Sequence, residues 1–298
     1  MRKLLAVLAV SALVFAACAE DDDGAEDQPT AGATTAASCE KDSLNLFEDG
    51  QLTIAASNPV FPPWFQGSVA GSDWKDPSPE SGEGFESALA YALADELGFT
   101  EDEVVWVEEG FNKTYAPGPK DYDFSIQEIS ITPKRAEAVT FSDGYYNANQ
   151  ALIALDDGPL QDAETLEELQ SAKLGAQIGT TGLTFIEEVI VPDDEAAVFD
   201  DTSAAKQALE NGQIDGIVVD LPTAFFITAV EIPKAEVVGQ FESTPDVVEE
   251  EQFGLTFEKD NPLVECVNQA LTSLRDSGEL QAIQDEWLSE TVDVPVLG

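Results

Sequence analysis

Beyond residue 50 the sequence switches repeatedly between short apolar runs and segments whose apolar residues recur every three or four positions. LTIAA (52–56) reads as a short buried strand. Phe85, Leu89, Ala92, Leu93 and Leu97 then share one helical face, and Gly98 stands where a helix stops. VVWV (104–107) and the alternating stretch 124–131 read as strands. Thr132 offers a cap with Pro133 at the first helical position. The pattern repeats with strands at 151–155, 173–178 and 214–219. Between them, Thr165 and Glu168 form a capping box, residues 203–209 form a helix closed by Asn211-Gly212, and two helices occupy the C-terminal part. Such alternation restricts the chain to α/β architecture with mainly parallel sheets, whose ligands bind in the loops beyond the carboxyl ends of the strands. A length of 298 residues suits two domains of ordinary size.

The first residues read as an address. Arg2 and Lys3 precede an apolar run over 4–17 that ends at Cys18, the layout of an export signal (1–17) and too short for a comfortable membrane span. FAAC (15–18) resembles a bacterial lipoprotein signal, in which the cysteine is acylated and becomes the new N-terminus. Phe15 departs from the usual leucine, and ordinary cleavage is the alternative. Residues 19–38 hold six acids and no large apolar side chain, so 18–43 is expected to be a solvated tether from a lipidated Cys18. Two further cysteines, Cys39 and Cys266, form an even pair in an exported chain and are expected to make a disulfide; two separately buried thiols are the other possibility.

Composition removes several kinds of chemistry. Without histidine there is no Ser-His-Asp triad, no Cys-His pair and no histidine-built metal site. Nothing calls for a cofactor, a metal or a catalytic residue. A formal charge of −46 argues against nucleic acid as a partner.

Three features point to a ligand. Arg135 lies in the first turn of the helix begun at Thr132, where a cation opposes the helix dipole. An external carboxylate or phosphate would resolve that conflict, as would an ion pair with a surface acid. The turn Gly179-Thr180-Thr181-Gly182 follows a strand and carries two hydroxyls. Asp220 ends another strand and is placed to receive an ammonium group. Phe61, Trp64 and Phe111, each after a strand, are available as aromatic walls or as core. Together these describe a site for a zwitterion.

The order SNPVFPPWF (57–65), GFESALAYALADELG (84–98), ISITPKRAEAVTFSDGYY (129–146), GAQIGTTG (175–182), NGQIDGIVVDLPTA (211–224) and FGLTFEKDNPL (253–263) resembles the family 3 extracellular solute-binding proteins, amino-acid receptors of bacterial ABC importers. The resemblance implies a two-lobed, type II periplasmic-binding-protein-like fold with two hinge strands, near 147–150 and 246–251. Lobe 1 would comprise 44–148 and 249–298, and lobe 2 149–248. It places the carboxylate-binding arginine on Arg135 with Ser130 upstream, the assisting hydroxyls on Thr180 and Thr181, the ammonium-binding aspartate on Asp220 and the enclosing aromatics on Phe61, Trp64 and Phe111.

Departures from the family pattern leave the side-chain preference open. Glu128 replaces a small residue two positions before Ser130 and either selects a basic or amide side chain or bonds within its own lobe. Asn58 stands where relatives of cationic preference carry an acid. FNKTYAPGPK (111–120) replaces a helix with a Pro/Gly-rich turn. The implied protein is a monomer on the outer face of the cell membrane, handing a polar amino acid to an ABC permease. A dehydratase-type enzyme on the same fold, with Glu128 as a general acid, and a ligand-sensing receptor are the alternatives.

Overall fold

The computed structural model describes residues 39–241, 251–288 and 294–297. The export signal, Cys18, the tether up to residue 38 and most of the second crossing (246–250) lie outside the described residues.

Strands and helices alternate as follows. β1 (Leu52–Ala56), α1 (Phe85–Glu96), β2 (Val104–Glu108), α2 (Phe111–Thr114), β3 (Phe124–Ser125), α3 (Pro133–Ala136) and β4 (Thr140–Phe141) come first. β5 (Tyr146–Asn147) leads across to β6 (Gln150–Leu155), α4 (Leu166–Leu169), β7 (Leu174–Gln177), α5 (Thr181–Phe185), β8 (Ala197–Phe199), α6 (Thr202–Glu210), β9 (Gly216–Asp220), α7 (Leu221–Phe226) and β10 (Ala235–Phe241). The chain returns through β11 (Gln252–Phe253) to β12 (Thr256–Phe257), α8 (Leu263–Ser277), α9 (Glu279–Trp287) and β13 (Val296–Leu297).

Among the described residues these strands form two sheets, ordered β2-β1-β3-β12-β4 and β13-β10-β6-β9-β7-β8, each the centre of one lobe. β5 and β11 pair antiparallel between them, Tyr146 with Phe253 and Asn147 with Gln252, as the hinge ribbon. The expectation of mainly parallel sheets is corrected. β1 runs parallel to β2 and β3, but β12 enters from the return crossing and is antiparallel to β3 and β4. For the same reason β6 is antiparallel to both β9 and β10. Both sheets are therefore mixed, with the antiparallel pairs made by the strands next to the crossings.

A second correction concerns the C-terminus. Assigning 249–298 wholly to lobe 1 fails at β13, which pairs parallel with β10 in the lobe 2 sheet, Gln240 opposite Val296 and Phe241 opposite Leu297. Leu297 is buried against Gly239, whose missing side chain makes room for it.

The second sheet explains its own composition. Along β6, Leu152 and Ala154 enter the core on one face, Ala151 and Ile153 the core on the other, so both faces are covered and the strand is a continuous apolar run. In lobe 1, Leu52, Ile54, Phe85, Leu89, Leu93, Phe124 and Phe257 share one core with Val267, Leu271 and Leu274 of α8. Gly278, at φ +82, ends α8 in the left-handed conformation that glycine adopts without penalty. The disulfide Cys39–Cys266 fastens the start of the fold to α8 across 227 residues of sequence.

The long segment 66–84 packs back on lobe 1: Trp74 is half-buried against the core and the Lys75 amide donates to Asn58 Oδ1 at 3.1 Å.

Candidate functional site

A cavity of about 90 Å³ opens between the lobes, at the carboxyl ends of β1, β7 and β9. From lobe 1 it takes Phe61, Phe111, Glu128 and Ser130; from lobe 2, Gln150, Thr180, Thr181 and Asp220; and from the hinge ribbon, Phe253. Seven of the ten residues singled out as ligand-binding in the sequence therefore line one space: Phe61, Phe111, Glu128, Ser130, Thr180, Thr181 and Asp220.

Asp220 is the last residue of β9 and the cap of α7, where its Oδ1 accepts from the Thr223 amide at 2.9 Å. Asp220 is only 8% exposed, and burial raises its pKa from the ordinary carboxylate value to about 6. Among the described residues no basic side chain lines the cavity, so no cation there faces its charge. An ammonium group would supply what is missing.

Arg135 is held differently from the expectation. Thr132 does cap α3, its hydroxyl accepting from the Arg135 amide at 3.2 Å. The guanidinium, however, is not on the cavity wall. Its Nη1 donates to the Ser130 carbonyl in lobe 1 and its Nη2 to the Gly179 carbonyl in lobe 2, both at 2.8 Å. It lies over the Tyr115 ring at 4.4 Å and near Phe111 at 5.5 Å. This fork ties the lobes together beside the cavity. Gly179 makes the approach possible: at φ +80 any side chain would run into Asn112 and the Tyr115 hydroxyl.

Two further expectations are corrected. Trp64 is fully buried in the lobe 1 core, edge-on to Phe85, Tyr146 and Phe253, and its indole N–H donates to the Thr223 hydroxyl at 2.8 Å. It supports the residue that Asp220 caps rather than forming a wall. Asn58 turns away: its amide donates to Glu108 Oε2 at 3.2 Å while its oxygen holds the Lys75 amide. Thr180 lines the cavity, but its hydroxyl is committed to capping α5, donating to the Gln177 carbonyl and accepting from the Leu183 amide.

Glu128 occupies the left-handed region at φ 55, which accounts for the small residue the family pattern prefers there. Its amide donates to Glu86 Oε1 at 2.7 Å, and the same oxygen accepts from the Tyr145 hydroxyl. Burial, aggravated by the neighbouring Glu86 and Asp220 charges, pushes the Glu128 carboxyl well above the usual range. Burial likewise raises Glu86 to about 8. A group whose native pKa exceeds its unfolded one stabilises below the unfolded value, and that stability is lost as pH rises through the native value. Thermal stability is therefore expected to fall as pH rises from about 4.5 towards 8. Glu86→Gln, which mimics the protonated acid, is expected to flatten that decline and to melt several degrees above the natural chain at pH 8. Parallel melting curves for the two proteins across pH 5–8 would show that Glu86 does not carry the dependence.

Sequence reasoning missed three contributors. Gln150 opens β6 on the cavity, and Tyr115, from the turn 111–120, stacks on Arg135. That turn begins with a single helical turn, α2, rather than irregular chain throughout. The third is Glu251, beside the hinge strand β11. Its Oε1 accepts from the hydroxyls of Ser130 (2.7 Å) and Thr181 (2.5 Å), and the Gln150 amide donates to both carboxylate oxygens at 3.1 and 3.2 Å. Gln150 and Glu251 fall within the crossings expected from the sequence, but nothing in the pattern says which way they point.

Comparison with known proteins bears on the fold and the family. The arginine-binding extracellular protein ArtP of Bacillus subtilis is 26% identical over 216 residues, covering 69% of this chain and 78% of that protein. ABC transporter arginine-binding protein 1 of Escherichia coli is 28% identical over 215 residues, covering 70% and 82%. Among solved structures, an ancestral arginine-binding protein bound to glutamine superimposes with a TM-score of 0.67 at 27% identity, covering 82% of this chain and all of that one. These relatives are binding proteins, and the structural likeness confirms the two-lobed fold. The family model for bacterial extracellular solute-binding proteins, family 3, matches residues 73–290, and the chain belongs to that family.

Proposed function

We propose that the protein captures an amino acid outside the cytoplasm by closing its two lobes and delivers it to the membrane permease of an ABC transporter. The observation that carries this reading is the shared cavity: the uncompensated carboxylate of Asp220 faces a space that also holds the Ser130 and Thr181 hydroxyls and adjoins the Arg135 guanidinium. Asp220 receives the solute's ammonium, the two hydroxyls with Arg135 nearby receive its carboxylate, and Phe61, Phe111 and Phe253 enclose the remainder. Because these groups come from both lobes and the hinge, the solute stabilises the closed arrangement through contacts that an open one lacks. Support also comes from the relatives, whose names are those of amino-acid-binding proteins, among them binders of arginine, glutamine, cystine and histidine.

On the same reading, Cys18 carries the lipid that holds the protein at the outer face of the membrane, 18–43 is the tether, and the folded part works as a monomer that performs no catalysis. The two lobes are 44–148 with the returning segment from 249, and 149–248, with β13 as the exception already described.

A melting screen against the twenty amino acids and cystine tests the reading. A solute at one hundred times its dissociation constant stabilises by about 2.7 kcal/mol, an expected rise of several degrees. If no amino acid shifts the transition, the reading fails. A solute recovered chemically unchanged separates binding from turnover.

A further inference from the structure

Ser130, Thr181 and Gln150 all line the cavity, and all three give hydrogen bonds to a single carboxylate, that of Glu251. The constellation is thus a carboxylate site by its own demonstration: two hydroxyls and a primary amide converge from both lobes on two oxygens. A hydroxyl has one proton to give. Ser130 and Thr181 each spend theirs on Glu251 Oε1, at 2.7 and 2.5 Å. Neither can donate to a second carboxylate without releasing the first. The cavity wall already holds Asp220 and Glu128, and Arg135 gives one N–H from each Nη to a backbone carbonyl.

We propose that Glu251 is a specificity-determining residue of this site, an internal carboxylate that competes with the solute's own carboxylate for Ser130, Thr181 and Gln150. The proposal rests on the amino-acid reading and deepens it. The solute must displace Glu251 from its donors and accept a like charge beside it. Affinity for carboxylate-bearing solutes is therefore held below what the same cavity would give without Glu251, while the attraction for the cationic part of the solute is strengthened. In the closed arrangement Glu251 bridges Ser130 of lobe 1 and Thr181 of lobe 2, so the exchange of one carboxylate for another preserves the tie between lobes.

The test compares each amino acid with its decarboxylated amine, for example L-arginine with agmatine and L-histidine with histamine, by calorimetry on the natural chain and on Glu251→Gln. Glu251→Ser, which also removes the carboxylate, is a second variant. Like charges brought together at a recognition site cost several kcal/mol, so removing one is worth tenfold or more in affinity. For the amino acid that binds, either substitution is expected to tighten binding by at least about tenfold, while the matching amine is unchanged or weaker. The ratio of the two affinities is the readout, because a merely structural role for Glu251 would weaken both together. An unchanged or lower ratio in both variants overturns the competition while leaving the amino-acid reading intact. No binding of any of the twenty amino acids or cystine to the natural chain or to either variant overturns that reading and the proposal with it.

Discussion

Replacing Asp220 by asparagine is expected to leave a folded protein that no longer binds its amino acid tightly. Asn is as good a helix cap as Asp, so the bond from the Thr223 amide that starts α7 is retained. The charge is what disappears. Removing one partner of a buried, hydrogen-bonded charge pair costs about 2–5 kcal/mol, a loss of roughly 30-fold to several thousand-fold in affinity. The melting temperature without solute should stay close to the natural value, or rise slightly where Asp220 is ionised, since a buried carboxylate with a raised pKa opposes folding at neutral pH. Calorimetry separates the two effects. Micromolar binding retained by Asp220→Asn would remove Asp220 from the site.

Arg135→Ala is expected to cost as much for a different reason. The guanidinium is a clamp between lobes: it holds the Ser130 carbonyl from one side and the Gly179 carbonyl from the other, over the Tyr115 ring. Each charge-assisted hydrogen bond is worth about 1.5–3 kcal/mol, and the alanine variant loses both together with the favourable field for a carboxylate at Ser130. A loss of at least about 100-fold in solute affinity follows, with the open arrangement favoured. Arg135→Lys is expected to rescue little, because one ammonium cannot reproduce a planar fork reaching two acceptors. Small-angle scattering in the presence of solute gives the conformational half of the result. Full compaction of the alanine variant at ordinary solute concentration would show that the clamp is dispensable.

These variants also show where sequence reasoning reaches and where it stops. Asp220 was legible as the end of an apolar strand, where ligands of such sheets bind, but its second role as the cap of α7 was not read from the sequence. The caps at Thr132 and Thr165 were legible from local residue types, Pro133 after the one and Glu168 three residues beyond the other. The stretch 124–131 was not. Its apolar alternation reads as an eight-residue strand, yet the ladder stops after Ser125, Ser130 pairs again only as an isolated bridge to Phe253, and Ile126 and Ile129 are buried from a loop that turns at Glu128. Ser125, Gln127 and Ser130 are buried there along with Phe124, Ile126 and Ile129, so the alternation in the sequence reports neither a sheet ladder nor an exposed face. The direction of Arg135 was equally hidden, because its acceptors are backbone carbonyls on two different lobes. Glu251 escaped because acids are abundant in this chain, and only the hinge ribbon turns this one onto Ser130 and Thr181.

The placement of a solute between Asp220 and the paired hydroxyls is tested most directly by a crystal structure of the protein with its amino acid bound. The predicted result puts the solute's ammonium nitrogen within about 3 Å of an Asp220 carboxylate oxygen, with its carboxylate facing Ser130 and Thr181. A solute seated elsewhere, or one whose ammonium points away from Asp220, would contradict the account.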